Sequence, residues 1–190
     1  MRAIRLMNRD DWQRYHQANR APWVAHDSLL AEEAAMLAPC AALELACGEG
    51  SDALHLARQG FDVLATEWVP AALEITAQRA ADEGLAIRTR LVDVTCMELR
   101  ERFQFIYMGY IPLSPSCLEE ALGRVKHHVD PGGTVLYLGL EETGPASEIV
   151  RCLEPLSVER CETMNRVISM PLEEDFEASC VLVRARRELN

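Results

Sequence analysis

The stretch from Ala41 to Gly60 joins an apolar run, a turn holding Gly48 and Gly50, and an amphipathic run of about two turns. A chain that passes from a buried-strand pattern to a helical period through so tight a turn is constrained to alternating α/β architecture. Glycine has no Cβ, so Gly48 and Gly50 permit the sharp turn and let a ligand touch the main chain, while Ala53 lets the following helix pack close to the sheet. A turn of this kind serves either as a plain tight connection or as a ligand cradle. The rest of the chain bears on which.

The same unit recurs along the sequence. Phe61 to Thr66 is a second apolar run ending in Glu67, and Pro70 opens an alanine-rich helix to about Gly84. Ile87 to Val92 reads as a third strand ending at Asp93, Phe103 to Met108 as a fourth and Thr134 to Leu140 as a fifth, after a helix over Ser116 to Val129 and a turn at Pro131-Gly132-Gly133. Upstream, Ser28 is the expected cap of a helix running to about Ala38. Downstream, a helix near Ala146 to Leu153 precedes two runs, from Leu156 and from Phe176 to Ala185, joined by the acidic Glu173-Glu174-Asp175 without an intervening helix. An antiparallel hairpin is the expected ending. The order predicts one α/β domain over 1–190 with a mainly parallel sheet, and residues 1–27, carrying Trp12, Tyr15 and Trp23, form an arm over it.

Composition narrows the function classes. The net charge of −11, from 19 basic and 30 acidic residues, repels phosphate backbones and anionic membranes, so neither nucleic acid nor a membrane is an expected partner. Arg184, Arg186 and Arg187 alternate with apolar residues and read as a solvated strand end. No apolar run approaches the roughly 20 residues of a membrane span, and the N-terminus lacks the apolar core of a secretory signal, so a cytoplasmic location is expected. The seven cysteines include no Cys-x-x-Cys pair and the histidines no His-Glu-x-x-His, so no metal site and no disulfide frame is expected.

In open α/β sheets ligands sit beyond the carboxyl ends of the strands. There Glu67 follows Gly48 at the roughly 20-residue spacing at which a second-strand acid accepts ribose hydroxyls, and Asp93 adds a third equipped strand end. These positions together point to a nucleoside-containing ligand. The segments "LELACGEG", "FDVLATEWVPAAL", "LVDV", "VDPGGTVLYLG" and "WQRYHQANRAPW" resemble the motifs of class I S-adenosylmethionine-dependent methyltransferases, particularly the small tellurite-resistance-like and thiopurine-methyltransferase-like branch. The resemblance runs from about Trp12 to Gly139. It implies a three-layer, doubly wound, Rossmann-like sheet of seven mostly parallel strands, S-adenosylmethionine as cofactor, and methyl transfer to a small-molecule acceptor. It further implies that Glu44 helps hold the methionine ammonium, that Ala46, Cys47, Gly48 and Gly50 cradle the methionine and ribose, and that Glu67 takes the ribose hydroxyls. Trp68 and Val94 would flank the adenine, Asp93 would accept from its amino group, and Met108 would contact the cofactor at the fourth strand end. Trp12, Tyr15 and Trp23 would act as a lid.

The fourth strand departs from the family pattern, with Met108 and Gly109 where many members carry an acid. Tyr107 and Tyr110 are the polar groups expected nearest the methyl, and Tyr110 is the candidate for substrate contact. His16 and His26 in the arm are expected to face solvent. Two other functions remain open: a protein that binds the cofactor without turnover, and a nicotinamide oxidoreductase. The latter lacks a Tyr-x-x-x-Lys, since Lys126, the single lysine, has no tyrosine four residues before it.

Overall fold

The computed structural model describes residues 7–18, 25–168 and 175–189. Seven strands form one sheet in the order β3-β2-β1-β4-β5-β7-β6. They are β1 (Ala41–Leu45), β2 (Asp62–Glu67), β3 (Ile87–Leu91), β4 (Phe103–Gly109), β5 (Val129–Leu140), β6 (Ser157–Ile168) and β7 (Phe176–Arg186). The first five are parallel, and β7 runs antiparallel to β5 and β6, so the expected hairpin is present. The strand order reverses between β1 and β4, the place where a crevice opens in doubly wound sheets.

Helices α1 (Arg9–Gln17), α2 (Ser28–Ala34), α3 (Ser51–Arg58), α4 (Pro70–Asp82), α5 (Pro115–Val125) and α6 (Ala146–Leu153) complete the fold. The two-residue period of the central strands sorts the core between layers. Ile106 and Met108 of β4 pack with Leu43 and Leu45 of β1 against Leu118 and Leu122 of α5 and Ile149 of α6. Phe105 and Tyr107 turn the other way, towards Leu30 of α2 and Ala53 and Leu56 of α3. Full burial of each such leucine or isoleucine contributes about 1.5–3 kcal/mol.

Three boundaries differ from the sequence expectation. Asp27, not Ser28, caps α2, its Oδ1 accepting from the N–H groups of Leu29 and Leu30, and the helix ends at Ala34. Helix α5 stops at Val125, four residues short, because Val129 already pairs with Phe103 in the sheet. The expected Pro131-Gly132-Gly133 turn is an irregularity within β5, where the register jumps from Phe103↔Val129 to Phe105↔Thr134. Main-chain bonds between Gly132 and Arg187, and between Arg187 and Gly133, hold it against the sheet.

Of the three arginines expected to be solvated, Arg186 is exposed, whereas Arg187 donates to Val129 O at 2.9 Å and Arg184 is engaged in an ion-pair cluster. Arg184 donates to Glu33 at 2.6 Å and to Glu159 at 3.1 Å, and Arg160 also reaches Glu33, which is 2% exposed. A buried carboxylate needs such partners. This cluster fixes α2 on the β6–β7 face and thereby positions Asp27.

Candidate functional site

A cavity of about 520 Å³ opens beyond the carboxyl ends of β1, β2 and β4. Its walls are the turn after β1 (Ala46, Cys47, Gly48, Glu49, Ser51 and Asp52), the turn after β2 (Glu67, Trp68 and Val69), the segment Val92–Thr95 and the loop Gly109–Ser114. Helix α1 closes one side through Trp12, Tyr15 and His16. An Asn8–Asp11 capping box starts α1, and Gln13 Oε1 accepts from Ala71 N at 3.2 Å, fastening it to the first turn of α4. Trp12 packs edge-on to Tyr15, with ring centroids 5.7 Å apart, and against Val69, Ala71, Ala72 and Trp68. The arm aromatics are thus both packing and cavity wall. Trp23 lies outside the described residues.

The backbone is left-handed where the wall bends. Ala46 (φ 55°) and Tyr110 (φ 47°) are non-glycine residues in this region, one past the end of each switch-point strand. Such conformations cost about 1–3 kcal/mol and concentrate at functional sites. Gly48 (φ 53°) and Gly50 (φ 79°) adopt the same region, but their surroundings differ. A Cβ on Gly48 would meet no atom within 4 Å, whereas one on Gly50 would lie 2.5 Å from Thr76 Cγ2. Gly48 borders the cavity; Gly50 does not line it and instead admits the Thr76 side chain of α4, correcting its expected ligand role.

Glu67 holds the turns together. Its Oε2 accepts from Gly48 N at 3.1 Å, and its Oε1 accepts from Trp68 N at 2.8 Å and Val69 N at 3.1 Å. One carboxylate therefore aligns the glycine turn with the turn after β2. Burial raises its pKa, opposed by those three N–H groups and by nearby His16. Glu44 is 3% exposed and its Oε2 is buried without a partner. Burial pushes its carboxyl well above the usual range, with the charges of Asp52 and Glu67 adding to the effect. Asp52 is pushed up to about 6 by burial, an effect opposed by the Asp27 N–H that donates to it.

Five carboxylates, those of Glu44, Glu49, Asp52, Glu67 and Asp93, line the cavity, and among the described lining residues there is no lysine or arginine. Acidic side chains thus outnumber basic ones among the described lining residues, where His16 is the one imidazole. No group of three or more His, Cys, Asp and Glu among the described residues is arranged to hold a metal ion.

Most of the residues expected at the site meet there: Glu44, Ala46, Cys47, Gly48, Glu67, Trp68, Asp93, Val94 and Tyr110, with Trp12 and Tyr15. Asp93 Oδ1 accepts from Thr95 N and Oγ1. Met108 is corrected, because the strand period turns it into the α5–α6 core, where it is fully buried. Tyr107 likewise lies beneath the wall, its buried hydroxyl unpartnered and abutting Gly109. Burial and the charges of Glu44 and Glu67 push the Cys47 thiol well up, which suits no nucleophile.

His16 departs from its solvent-facing expectation. Its Nδ1 lies 2.9 Å from Glu49 Oε1, and its ring stacks on Trp12. His26 is exposed as expected and stacks on His55 with centroids 4.0 Å apart. Sequence reasoning missed Glu49, Asp52 and His16. An acid in the first turn after the glycines was the available signal for Asp52, but the helix dipole accounts for such an acid without any ligand. Tyr110 is fixed by Arg166 of β6, which donates to its hydroxyl and, at 2.8 Å, to Asp27 Oδ2.

The family described as "Tellurite resistance protein TehB" matches residues 10–157. Among curated proteins the chain is similar to Hemagglutinin 1 of Eikenella corrodens, 33% identical over 118 residues, covering 61% of this chain and 39% of that protein. It is also similar to the probable S-adenosyl-L-methionine-dependent methyltransferase TehB of Haemophilus influenzae, 25% identical over 114 residues, 59% of this chain and 40% of that protein. The chain thus spans about two fifths of the length of these relatives. The crystal structure of TehB from Haemophilus influenzae superposes with a TM-score of 0.78 at 18% identity, over 87% of this chain and 64% of that one. The N-methyltransferase NodS from Bradyrhizobium japonicum, in complex with S-adenosyl-L-homocysteine, superposes with a TM-score of 0.70 at 16% identity, over 94% and 97%. With its glycine turn, strand-end acids and sheet order on this pattern, the chain belongs to the TehB family, a branch of the class I S-adenosylmethionine-dependent methyltransferases.

Proposed function

We propose that the protein transfers the methyl group of S-adenosylmethionine to a small-molecule acceptor. The observation that carries this reading is the buried, unpartnered Oε2 of Glu44 on the wall of an acidic cavity beside an open glycine turn. Those residues fit the cofactor, whose amino-acid end carries an ammonium and whose sulfur is a sulfonium. When bound, S-adenosylmethionine supplies a methyl group already attached to a good leaving group. Glu44 accepts from the ammonium, the Gly48 main chain lies against the ligand, and Glu67 takes the ribose hydroxyls with the lone pairs left by its three backbone bonds. Trp68 and Val94 flank the adenine and Asp93 accepts from its amino group. Tyr110, Ile111, Pro112 and Leu113 face Trp12 and Tyr15 across the acceptor side, orienting the nucleophile and excluding water. Alignment of this kind is worth about 7–11 kcal/mol.

The cavity volume and its closure by α1 favour a small acceptor over a macromolecule. The seven cysteines are all free, which suits a reducing compartment such as the cytoplasm. Among the described residues no helix is long and apolar enough to cross a membrane. A second reading, binding without turnover, draws on the fourth strand end, where Met108 is buried in the core and Tyr110 is committed to Arg166.

Thermal unfolding with S-adenosylmethionine, S-adenosylhomocysteine and NAD tests the cofactor. At 100 times its dissociation constant a ligand adds about 2.7 kcal/mol, a rise of about 5–10 °C for a chain of this size. The adenosyl sulfur compounds are expected to give that rise and NAD none; stabilisation by NAD alone would overturn the reading. Turnover with a panel of thiols, phenols and amines then separates transfer from binding.

A further inference from the structure

The two edges of the sheet are unlike. β3, at one end, is a strand of 5 residues whose Arg88 and Arg90 share a face. Antiparallel pairing with a second copy about Thr89 would set arginine against arginine, which closes this edge to its own kind. β6, at the other end, runs for 12 residues and pairs with β7 alone among the described strands. Its register with β7 shifts once, between Val158 and Arg160, and is continuous from Arg160 to Ile168. That stretch holds no proline and no lysine, two residues that commonly blunt an edge. Cys161, Thr163, Asn165 and Val167 alternate along one face of it, all exposed and none charged, with Val167 at 62%. A row of unpaired N–H and C=O groups beside such a face is a template for a further strand.

The charges on the alternate face, Arg160, Glu162 and Arg166, say which strand fits. A two-fold axis perpendicular to the sheet keeps like faces together, so an antiparallel copy pairs in a register centred on one residue. Centred on Arg160, Glu162 or Arg166, the pairing opposes that charge to itself; centred on Thr163, it opposes Arg160 to Arg166. Centred on Asn165, it gives no charge an opposite. Centred on Cys161, it matches Arg160 with Glu162, but the ladder then runs into the shift at Val158. Centred on Met164, Glu162 of each copy stands opposite Arg166 of the other, Thr163 opposite Asn165 and Cys161 opposite Val167, and the ladder spans the whole continuous stretch. Both charges have capacity left. Arg166 commits its Nη1 and Nη2 groups to Asp27, Tyr110 and Ser28 and keeps its Nε–H, and Glu162 accepts one bond from Arg160 on each oxygen at 2.8 Å, leaving lone pairs over.

We propose that β6 is the interface of a homodimer, in which two copies pair antiparallel about Met164 and join their sheets into one. The proposal stands apart from the proposed function. It sets the joint beside Arg166, whose bond to the Tyr110 hydroxyl ties it to the wall of the cavity.

Sedimentation velocity and cross-linking test the interface and its register. The wild type is expected to sediment as a dimer at micromolar concentrations, and Glu162→Arg, which faces Arg166 of the second copy with a like charge, to raise the dissociation constant by at least roughly tenfold. That variant also loses the bond from Arg160, so thermal unfolding checks that it is folded. Val167→Cys leaves every charge in place and carries the test by itself. Directly opposed residues of an antiparallel pair have Cα atoms about 4.5–5.5 Å apart, inside the disulfide range of about 4.4–6.8 Å. Oxidation of Val167→Cys with diamide is therefore expected to give a covalent dimer, and adding Cys161→Ser to abolish it. A monomeric wild type, or a dimer that Val167→Cys leaves unlinked, overturns the proposal. So does a disulfide of wild-type Cys161 with its own copy, or a cross-link in Val167→Cys that survives Cys161→Ser.

Discussion

Glu67→Ala is expected to lower affinity for S-adenosylhomocysteine by at least about a hundredfold and to destabilise the unliganded protein by about 2–4 kcal/mol. The stability loss comes from the main chain. Three N–H groups, of Gly48, Trp68 and Val69, lose their common acceptor on a side chain 6% exposed. Each unmet donor costs about 1–3 kcal/mol, less where water from the cavity can replace the oxygen. The affinity loss has two sources, because the ribose loses its carboxylate and the glycine turn loses the contact that holds it in register with β2. Charge-assisted hydrogen bonds are worth about 1.5–3 kcal/mol each, so two suffice for the expected factor. Urea denaturation and calorimetric titration measure the two effects separately. Glu67→Gln should fall between: its amide oxygen can serve Trp68 and Val69, but its NH2 then faces the Gly48 N–H. Wild-type affinity in the alanine variant would show that ligands do not use this turn.

Gly50→Ala should destabilise by about 2–4 kcal/mol, whereas Gly48→Ala, two residues away and in the same backbone region, should cost only about 1–2. The shared part is the left-handed conformation, φ 79° at Gly50 and 53° at Gly48, which carries about 1–2 kcal/mol for an L-residue. The difference is space. At position 50 the added methyl would lie 2.5 Å from Thr76 Cγ2 and 2.8 Å from Thr76 Oγ1, in a side chain with no exposure whose hydroxyl donates to Gly48 O at 3.1 Å. Overpacking of this sort adds about 1–3 kcal/mol. At position 48 the methyl meets nothing and stands at the cavity, so Gly48→Ala should fold and bind S-adenosylhomocysteine poorly. A double substitution, Gly50→Ala with Thr76→Ala, should recover part of the loss, since the two residues are in direct contact. Equal stabilities for the two single alanine variants in urea would refute the packing assignment of Gly50.

These two glycines show what a sequence can and cannot say about such a site. The turn itself was legible, because strand, glycine pair and helix follow within twenty residues and their periods differ. Glu67 and Asp93 were legible as strand-end acids for the same local reason. Which glycine faces the ligand was not, because the answer depends on Thr76, a helix away. Met108 was misplaced by a single step of the strand period, which sends Tyr107 and Met108 into opposite layers. The roles of Asp27 and Glu33 were hidden entirely: their arginine partners lie 139 and 151 residues along the chain, at Arg166 and Arg184. No local pattern encodes pairs so distant, although they position the helix cap and the wall of the site. The β5 irregularity was read as a turn since Pro-Gly-Gly carries that signal whether or not the sheet continues past it.

The crowded carboxyl groups of the cavity also make the empty protein a store of hydrogen ions. Burial pushes Asp52 up to about 6 and raises Glu44 and Glu67, so these groups keep their protons to higher pH in the folded chain than in the unfolded one. Because the folded value of Asp52 lies above its unfolded one, the stability that this group contributes to the unliganded fold is lost as pH rises from about 4 through about 6. A cationic ligand, as the proposed function has it, would favour the ionised carboxylates and release those protons. If the proposed cofactor binds there, its affinity is expected to climb with pH across that window, and titration calorimetry in buffers of different ionisation enthalpy checks this through a heat that varies with the buffer.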